Sequence, residues 1–186
     1  MADENKVQFN LKNVHVAVLG AEGTYGTPIA VPGAVSIALD PQGEVTPFYA
    51  DGIVYYHSNR NNGYSGDLEV AKYPEKVLID IWGFELNEDK VLVENADIEP
   101  KSFALLYQID GDKTDSLYCL YNCTGTRPGI GSVTNTETKE PHTQKSTIAA
   151  VPLANGKVMA RTTSETSDAV KKAWFSTVYN KEGSAS

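Results

Sequence analysis

The chain has 186 residues, 16 Lys and Arg against 24 Asp and Glu (net charge −8), and 41 % hydrophobic residues. That length suits one domain with a sizeable core, the apolar share excludes wholesale disorder, and the charge excludes nucleic-acid binding through a general basic patch. No apolar stretch reaches the ~18 residues that span a bilayer. The first residues, MADENKVQF, carry acids where a signal peptide needs basic residues and then an apolar run, so folding in a cytoplasm is expected.

In chain order, Val14, Val16 and Val18 alternate with His15 and Ala17 and predict a first strand. Gly20, Gly23 and Gly26 follow, spaced G-x-x-G-x-x-G. A dinucleotide fingerprint needs a helix after its last glycine to receive the pyrophosphate, but Pro32 and Gly33 would break any helix begun at Pro28. This stretch is therefore read as a shaped loop between two strands. Val35, Ile37 and Leu39 alternate with polar or small residues, and Asp40-Pro41-Gln42-Gly43 predicts a turn. Residues 53–58 read as a strand and residues 59–63 as a turn or loop. In residues 66–72, Leu68 and Val70 oppose Asp67 and Glu69, giving a strand with one wet face.

Pro74 suits a first helical position; Val77, Leu78, Ile81 and Trp82 form one stripe, and Gly83 ends the helix. Residues 103–109 and 116–124 flank Asp110-Gly111-Asp112, a strong hairpin signal, and are apolar at nearly every position, as when both faces are covered. Residues 143–153 and 157–162 flank Asn155-Gly156, a second predicted hairpin. A last helix places Glu165 and Asp168 in its first turn and Ala169, Val170, Ala173 and Trp174 on its apolar stripe. The reading is mainly β: a β-sandwich or half-barrel with one or two flanking α-helices. Residues 1–12 are an N-terminal arm, 13–180 a single domain and 181–186 a frayed tail. Residues 127–142, polar and weakly patterned, are the candidate for a loop that orders only on assembly.

The chemical motifs are weak. On a strand, Cys119 and Cys123 lie about 13 Å apart, beyond the ~7 Å limit of a disulfide, and read as buried thiols. The sequon Asn122-Cys123-Thr124 means little without a secretory signal. His15, His57 and His142 are scattered, and Asp110, Asp112 and Asp115 lack the glycine position and downstream Glu of a calcium loop. No G-x-S-x-G elbow or P-loop is present. The expectation is no enzyme, no cofactor and no metal.

Charge and aromatics are unevenly placed. Residues 1–100 carry 6 Lys/Arg against 16 Asp/Glu, and residues 101–186 carry 10 against 8. The acids are densest in residues 67–99. Two readings fit: a solvated acidic face, or unequal portions that attach copies head to tail. Phe48, Tyr49, Tyr55, Tyr56 and Tyr64 lie within 17 positions beside Asn59, Arg60, Asn61 and Asn62. With Arg127 they form a candidate subunit interface. Ordinary strand tyrosines, or a monomeric β-sandwich module stacking a carbohydrate on this cluster, are the alternatives.

Residues 12–19 (KNVHVAVL), 25–43 (YGTPIAVPGAVSIALDPQG), 48–51 (FYAD) and 61–71 (NNGYSGDLEVA) resemble major tail proteins of bacteriophages with long non-contractile tails. Residues 92–112 (LVENADIEPKSFALLYQIDGD) and 120–128 (LYNCTGTRP) continue the resemblance, which spans residues 12–162. It implies a tail-tube sandwich with a flanking helix, six copies closing into a ring, and rings stacking into a tube in the virion tail. It also implies partners such as tape-measure and terminator proteins, and DNA passing through without specific binding or membrane contact. The family has no catalytic residues to carry over. Some relatives add an immunoglobulin-like domain; ending soon after its last helix, this chain is expected to hold the tube domain alone. An acidic wall repels phosphate, and Glu44, Asp51, Asp67 and Glu69 are the candidate channel-lining acids, since they are read as alternating with core residues on predicted strands.

Overall fold

A computed structural model describes residues 4–134 and 141–181. Its centre is the antiparallel pair β9 (Phe103–Gly111) and β10 (Ser116–Gly125). Alternation along β9 sends Phe103, Leu105 and Tyr107 to one face and Ala104 and Leu106 to the other. Tyr118 and Leu120 of β10 join the first set, and Leu117, Cys119 and Tyr121 the second. Both faces are covered, as the unbroken apolar pattern predicted. Each fully buried large side chain contributes about 1.5–3 kcal/mol.

The main sheet runs β2–β1–β9–β10–β11–β6–β3, with β12 also on β10. The added strands are β1 (Gln8–Val18), β2 (Ile29–Ala30), β3 (Ala34–Gln42), β6 (Gly63–Val70), β11 (Gln144–Ala150) and β12 (Met159–Arg161). The sheet curls until β3 returns within 8 Å of β1 between Cα atoms. Residues 29–42 make this half-barrel closure: β2 pairs with β1, and β3 pairs with β6. The corner between them is Gly33, at φ +79°, where a Cβ would lie 2.7 Å from that of Ala71.

Helix α1 (Glu75–Asp80) follows Pro74 and packs Val77, with Ile81 and Trp82 just beyond it, into the first core. Trp82 Nε1 donates to the Gly125 carbonyl at 3.1 Å. Helix α2 (Asp168–Ala173) leads Trp174 into the second core, where its Nε1 donates to the Tyr118 carbonyl at 3.2 Å. The architecture is mainly β, one large antiparallel sheet with two small helices.

Three local expectations are corrected. Asp40-Pro41-Gln42 is not a turn but the end of β3, paired with Ser65, Tyr64 and Gly63; a proline is tolerated there because β3 is an edge strand. The Asn155-Gly156 turn exists, yet β11 and β12 do not pair with each other. They lie end to end along β10, at residues 123–125 and 118–120, and residues 151–158 loop out between them. Glu165 precedes the capping residue Ser167, so Asp168 alone provides acid in the first turn of α2. Of the loop at 127–142, residues 135–140 lie outside the described residues, as do residues 1–3 of the arm and 182–186 of the tail.

The glycine-spaced stretch folds as a tight loop. The Leu19–Tyr25 bridge closes it, Gly20 N–H donates to the Thr24 carbonyl at 2.8 Å, and Gly26 N–H to that of Val18 at 2.9 Å. The Tyr25 hydroxyl donates to the Tyr121 carbonyl at 2.9 Å, pinning the loop on β10.

Candidate functional site

Strands β4 (Val45–Ala50) and β5 (Ile53–Asn59) form a separate two-stranded hairpin. It prolongs the β3–β6 ladder: Asn62 N–H donates to the Gln42 carbonyl at 2.8 Å and Arg60 N–H to that of Glu44 at 3.3 Å. At this root Gly43 has no room for a Cβ against the Arg60 carbonyl. The tip is the two-residue turn Asp51-Gly52, with φ +53° and +78°, the positive pair a type I′ turn needs. Six strand residues carry the hairpin about 20 Å from its root.

None of residues 45–59 is buried. Phe48 is 60 % exposed, Tyr49 63 %, Tyr55 72 %, Tyr56 63 % and Ile53 64 %. Phe48 pairs directly with Tyr56 and shares its face, whereas Tyr49 pairs with Val54 on the opposite face. Tyr55 is the extra residue at the irregularity between them. Asp51 is the only Asp, Glu, Lys or Arg among residues 45–59.

The structure thus gathers Phe48, Tyr49, Tyr55 and Tyr56 on one projection, with Asp51 at its tip and Glu44 and Arg60 at its root. Neither acid alternates with core residues on a strand as expected, since Glu44 lies just before β4 and Asp51 in the tip turn. Tyr64 sits in β6, half-buried against the first core. Arg127 lies elsewhere, its Nη1 2.6 Å from Glu94 Oε1. Strand β4 went unread in the sequence because Pro47 argues against a strand; the signal that locates it is Asp51-Gly52 between apolar residues.

Asp67 and Glu69 occupy a different surface, the outer face of β3, β6 and β11. Their side-chain alternation with buried Leu68 and Val70 is as predicted. Ladder partners place Ser36, Ala38 and Asp40 on one side of them and Lys145, Thr147 and Ala149 on the other. Lys145 Nζ lies 2.7 Å from Asp67 Oδ2, and the Thr147 hydroxyl donates to Asp67 Oδ1 at 2.8 Å. These bonds, that of Lys145 foremost, hold the Asp67 carboxyl below its usual range. Glu69 accepts from the hydroxyls of Ser36, at 3.2 Å, and Thr143.

The two thiols are shut away. Cys119 and Cys123 are free and buried, and burial pushes the Cys119 thiol up to about 12 and that of Cys123 higher. Among the described residues no group of three His, Cys, Asp or Glu could hold a metal ion, and no helix is long and apolar enough to cross a membrane. What the surface offers is contact area and polar edges.

No family model matches this chain, and no curated protein matches it. Among solved structures it is similar to the cryo-EM structure of the anti-feeding prophage cap, the AFP tube terminating cap. The two share 14 % identity with a TM-score of 0.39, over 87 % of this chain and 97 % of that one.

Proposed function

We propose that this chain is a structural, non-catalytic virion protein: the subunit of a phage tail tube, closing into rings, six to a ring, that stack into a conduit for DNA. The observation that carries this reading is the β4–β5 hairpin. A lone two-stranded hairpin is at best marginally stable in water, and this one exposes apolar side chains on both faces with one charge at its tip. Its four aromatics offer on the order of 500 Å², more than half of the ~800 Å² one partner gives to a standard interface. Left uncovered, such a segment is an aggregation hazard; buried against neighbouring copies, it is an assembly device.

The outer edges of β3 and of residues 8–13 in β1 support the same reading, since among the described residues neither edge has a strand partner. Ring closure would cover them. The polar face bearing Asp40, Asp67 and Glu69 against Lys145 then suits the channel, with Asp51 and Glu44 following the hairpin. Tape-measure and terminator proteins are the partners expected at the lumen and the tube end. A carbohydrate module is less well supported, because Phe48–Tyr56 and Tyr49 stand on opposite faces and form no common cleft.

Sedimentation and negative-stain electron microscopy of the purified chain test the proposal. Rings or tubes of uniform width are expected. A strict monomer at every concentration, above all one that binds glycans, would overturn it.

A further inference from the structure

A cavity of about 470 Å³ opens between the N-terminal segment and β12, at the start of β10. Its walls are fixed. The Asn5 side chain clasps the β9–β10 turn: Nδ2 donates to the Thr114 carbonyl at 2.6 Å, and Oδ1 accepts from the N–H groups of Lys113 at 3.1 Å and Thr114 at 3.0 Å. Gly111 has no room for a Cβ against this amide, and Lys6 N–H donates to Asp112 Oδ1 at 2.8 Å. On the other wall Arg161 lies over the Tyr118 ring, 5.9 Å from its centroid. Tyr118 is itself held by stacking on Tyr107 at 4.9 Å and by a hydrogen bond from Gln8 Nε2 at 3.0 Å.

The lining is rich in donors: Arg161, Lys6 and the hydroxyls of Ser116 and Ser164, with Glu4 as its one carboxylate. Neither Arg161 nor Lys6 forms an ion pair with a carboxylate among the described residues, whereas Lys12, Lys76, Arg127 and Lys145 do. A guanidinium held over the Tyr118 ring, with a lysine and two serines in the same lining, selects a carboxylate-bearing partner.

The chain carries a matching projection at the far end of β10. Strands β7 (Glu85–Leu86) and β8 (Leu92–Val93) form a small hairpin, tethered by the Glu94–Arg127 pair just beyond Gly125. Its turn is closed by Asn87, whose N–H donates to the Val91 carbonyl at 3.0 Å while its Oδ1 accepts from Val91 N–H at 2.8 Å. Glu88 and Asp89 stand exposed on it without an ion-pair partner among the described residues. Ten strand residues, about 30 Å, separate socket from plug. A donor and an acceptor at opposite ends of one molecule make a contact that propagates.

We propose that this cavity receives the Glu88-Asp89 turn of a second copy of the chain, Arg161 and Lys6 taking its carboxylates, as the contact between successive rings. The direction of stacking rests on the tube reading; the complementarity of the two sites does not.

Charge exchange in the full chain tests it. Arg161→Glu, or Glu88→Lys with Asp89→Lys, raises the concentration needed for assembly at least about tenfold, because like charges then meet. All three together in one chain recover to within about threefold of the unaltered protein. Unchanged thermal midpoints confirm that these exposed variants fold. Single variants that assemble normally, or a combination no better than its parts, overturn the proposal. Should the unaltered chain stay monomeric, a peptide of residues 84–94 titrated into it by NMR separates the two ideas. Shifts around Arg161 that vanish in Arg161→Glu keep the socket and discard the tube; no shifts discard the socket.

Discussion

The β9–β10 pair and the β4–β5 hairpin share isoleucine, phenylalanine and tyrosine, in antiparallel strands joined by short turns. One is buried on both faces: Leu105, Leu106 and Cys119 are 0 % exposed. The other is open on both, with Tyr55 at 72 %. The difference lies in what each pair is given to pack against. β9 and β10 hold the middle of the sheet, with α1 on one side and Trp174 on the other. The hairpin leaves the sheet at Gly43, and none of its residues 45–59 is buried among the described residues. Identical secondary structure therefore supplies fold stability in one place and binding capacity in the other.

Truncation breaks the comparison most sharply. Leu105→Ala, in the first core, lowers the stability of the monomer by about 2–5 kcal/mol, read from urea unfolding. Phe48→Ser with Tyr56→Ser changes that stability by no more than about 0.5 kcal/mol but abolishes sedimenting assemblies. Equal losses of stability from both would mean that the hairpin belongs to the core. Unaltered assembly in the double variant would remove the hairpin from the interface.

The two regions also differ in how far the sequence disclosed them. β9 and β10 were legible because apolar residues at consecutive positions have few other solutions, although Asp110 and Gly111, expected in the turn, extend β9 and leave the turn to residues 112–115. Helix α1 was legible from Pro74, its stripe and Gly83. The hairpin was half legible: its aromatics stood out, but Pro47 masked β4. That Tyr64 would turn inward, and Arg127 pair with Glu94, depends on contacts distant in sequence. So does the alignment of β11 and β12 along β10, since a turn signal reports a reversal and not which strand accepts the returning chain. The socket at Arg161 draws on three separate segments, residues 4–8, Thr114 with Ser116, and residues 161–164, and no single-segment motif could announce it.

Glycine substitutions sharpen the contrast at the hairpin's two ends. Gly63, at the start of β6, has φ +100° and no room for a Cβ against the Ala150 carbonyl. Gly52, at the tip, has φ +78° and open space around it. Gly63→Ala costs about 3 kcal/mol from overpacking and backbone strain together, and Gly52→Ala about 1 kcal/mol from strain alone. Thermal unfolding of both variants checks the ranking; equal costs would show that crowding at Gly63 is relieved by a small shift of β11.

Alkaline pH acts on the buried pair through its two thiols. The unfolded chain loses its thiol protons near pH 8.5, while burial holds Cys119 protonated up to about 12 and Cys123 beyond that. Because the folded values are raised, stability is intact below about pH 8.5 and falls as pH climbs, by about 1.4 kcal/mol per pH unit for each thiol. Urea midpoints of the reduced protein between pH 8 and 10.5 measure the slope. Cys119→Ala shallows it, and a slope unchanged in that variant would leave Cys123 and the buried tyrosines as the source of alkaline loss.

The smallest effect is expected where a charge is neither buried nor left alone. Lys145 and Thr147 depress the Asp67 carboxyl, so its contribution is present above the ordinary carboxylate value and is lost as pH falls below that value. The pair is exposed, at 60 % for Lys145 and 38 % for Asp67, and solvent and salt screen it. Lys145→Ala therefore leaves the unfolding midpoint of the monomer at pH 7 within error. Its consequence belongs to the surface: with Lys145 gone, Asp40, Asp67 and Glu69 stand as three acids without the cation that tempers them. If that face lines the channel, Lys145→Ala tubes exclude a polyanionic probe from the lumen more strongly at low ionic strength, and the difference disappears in high salt. A difference indifferent to salt, or none at all, would place this face on the outside of the tube.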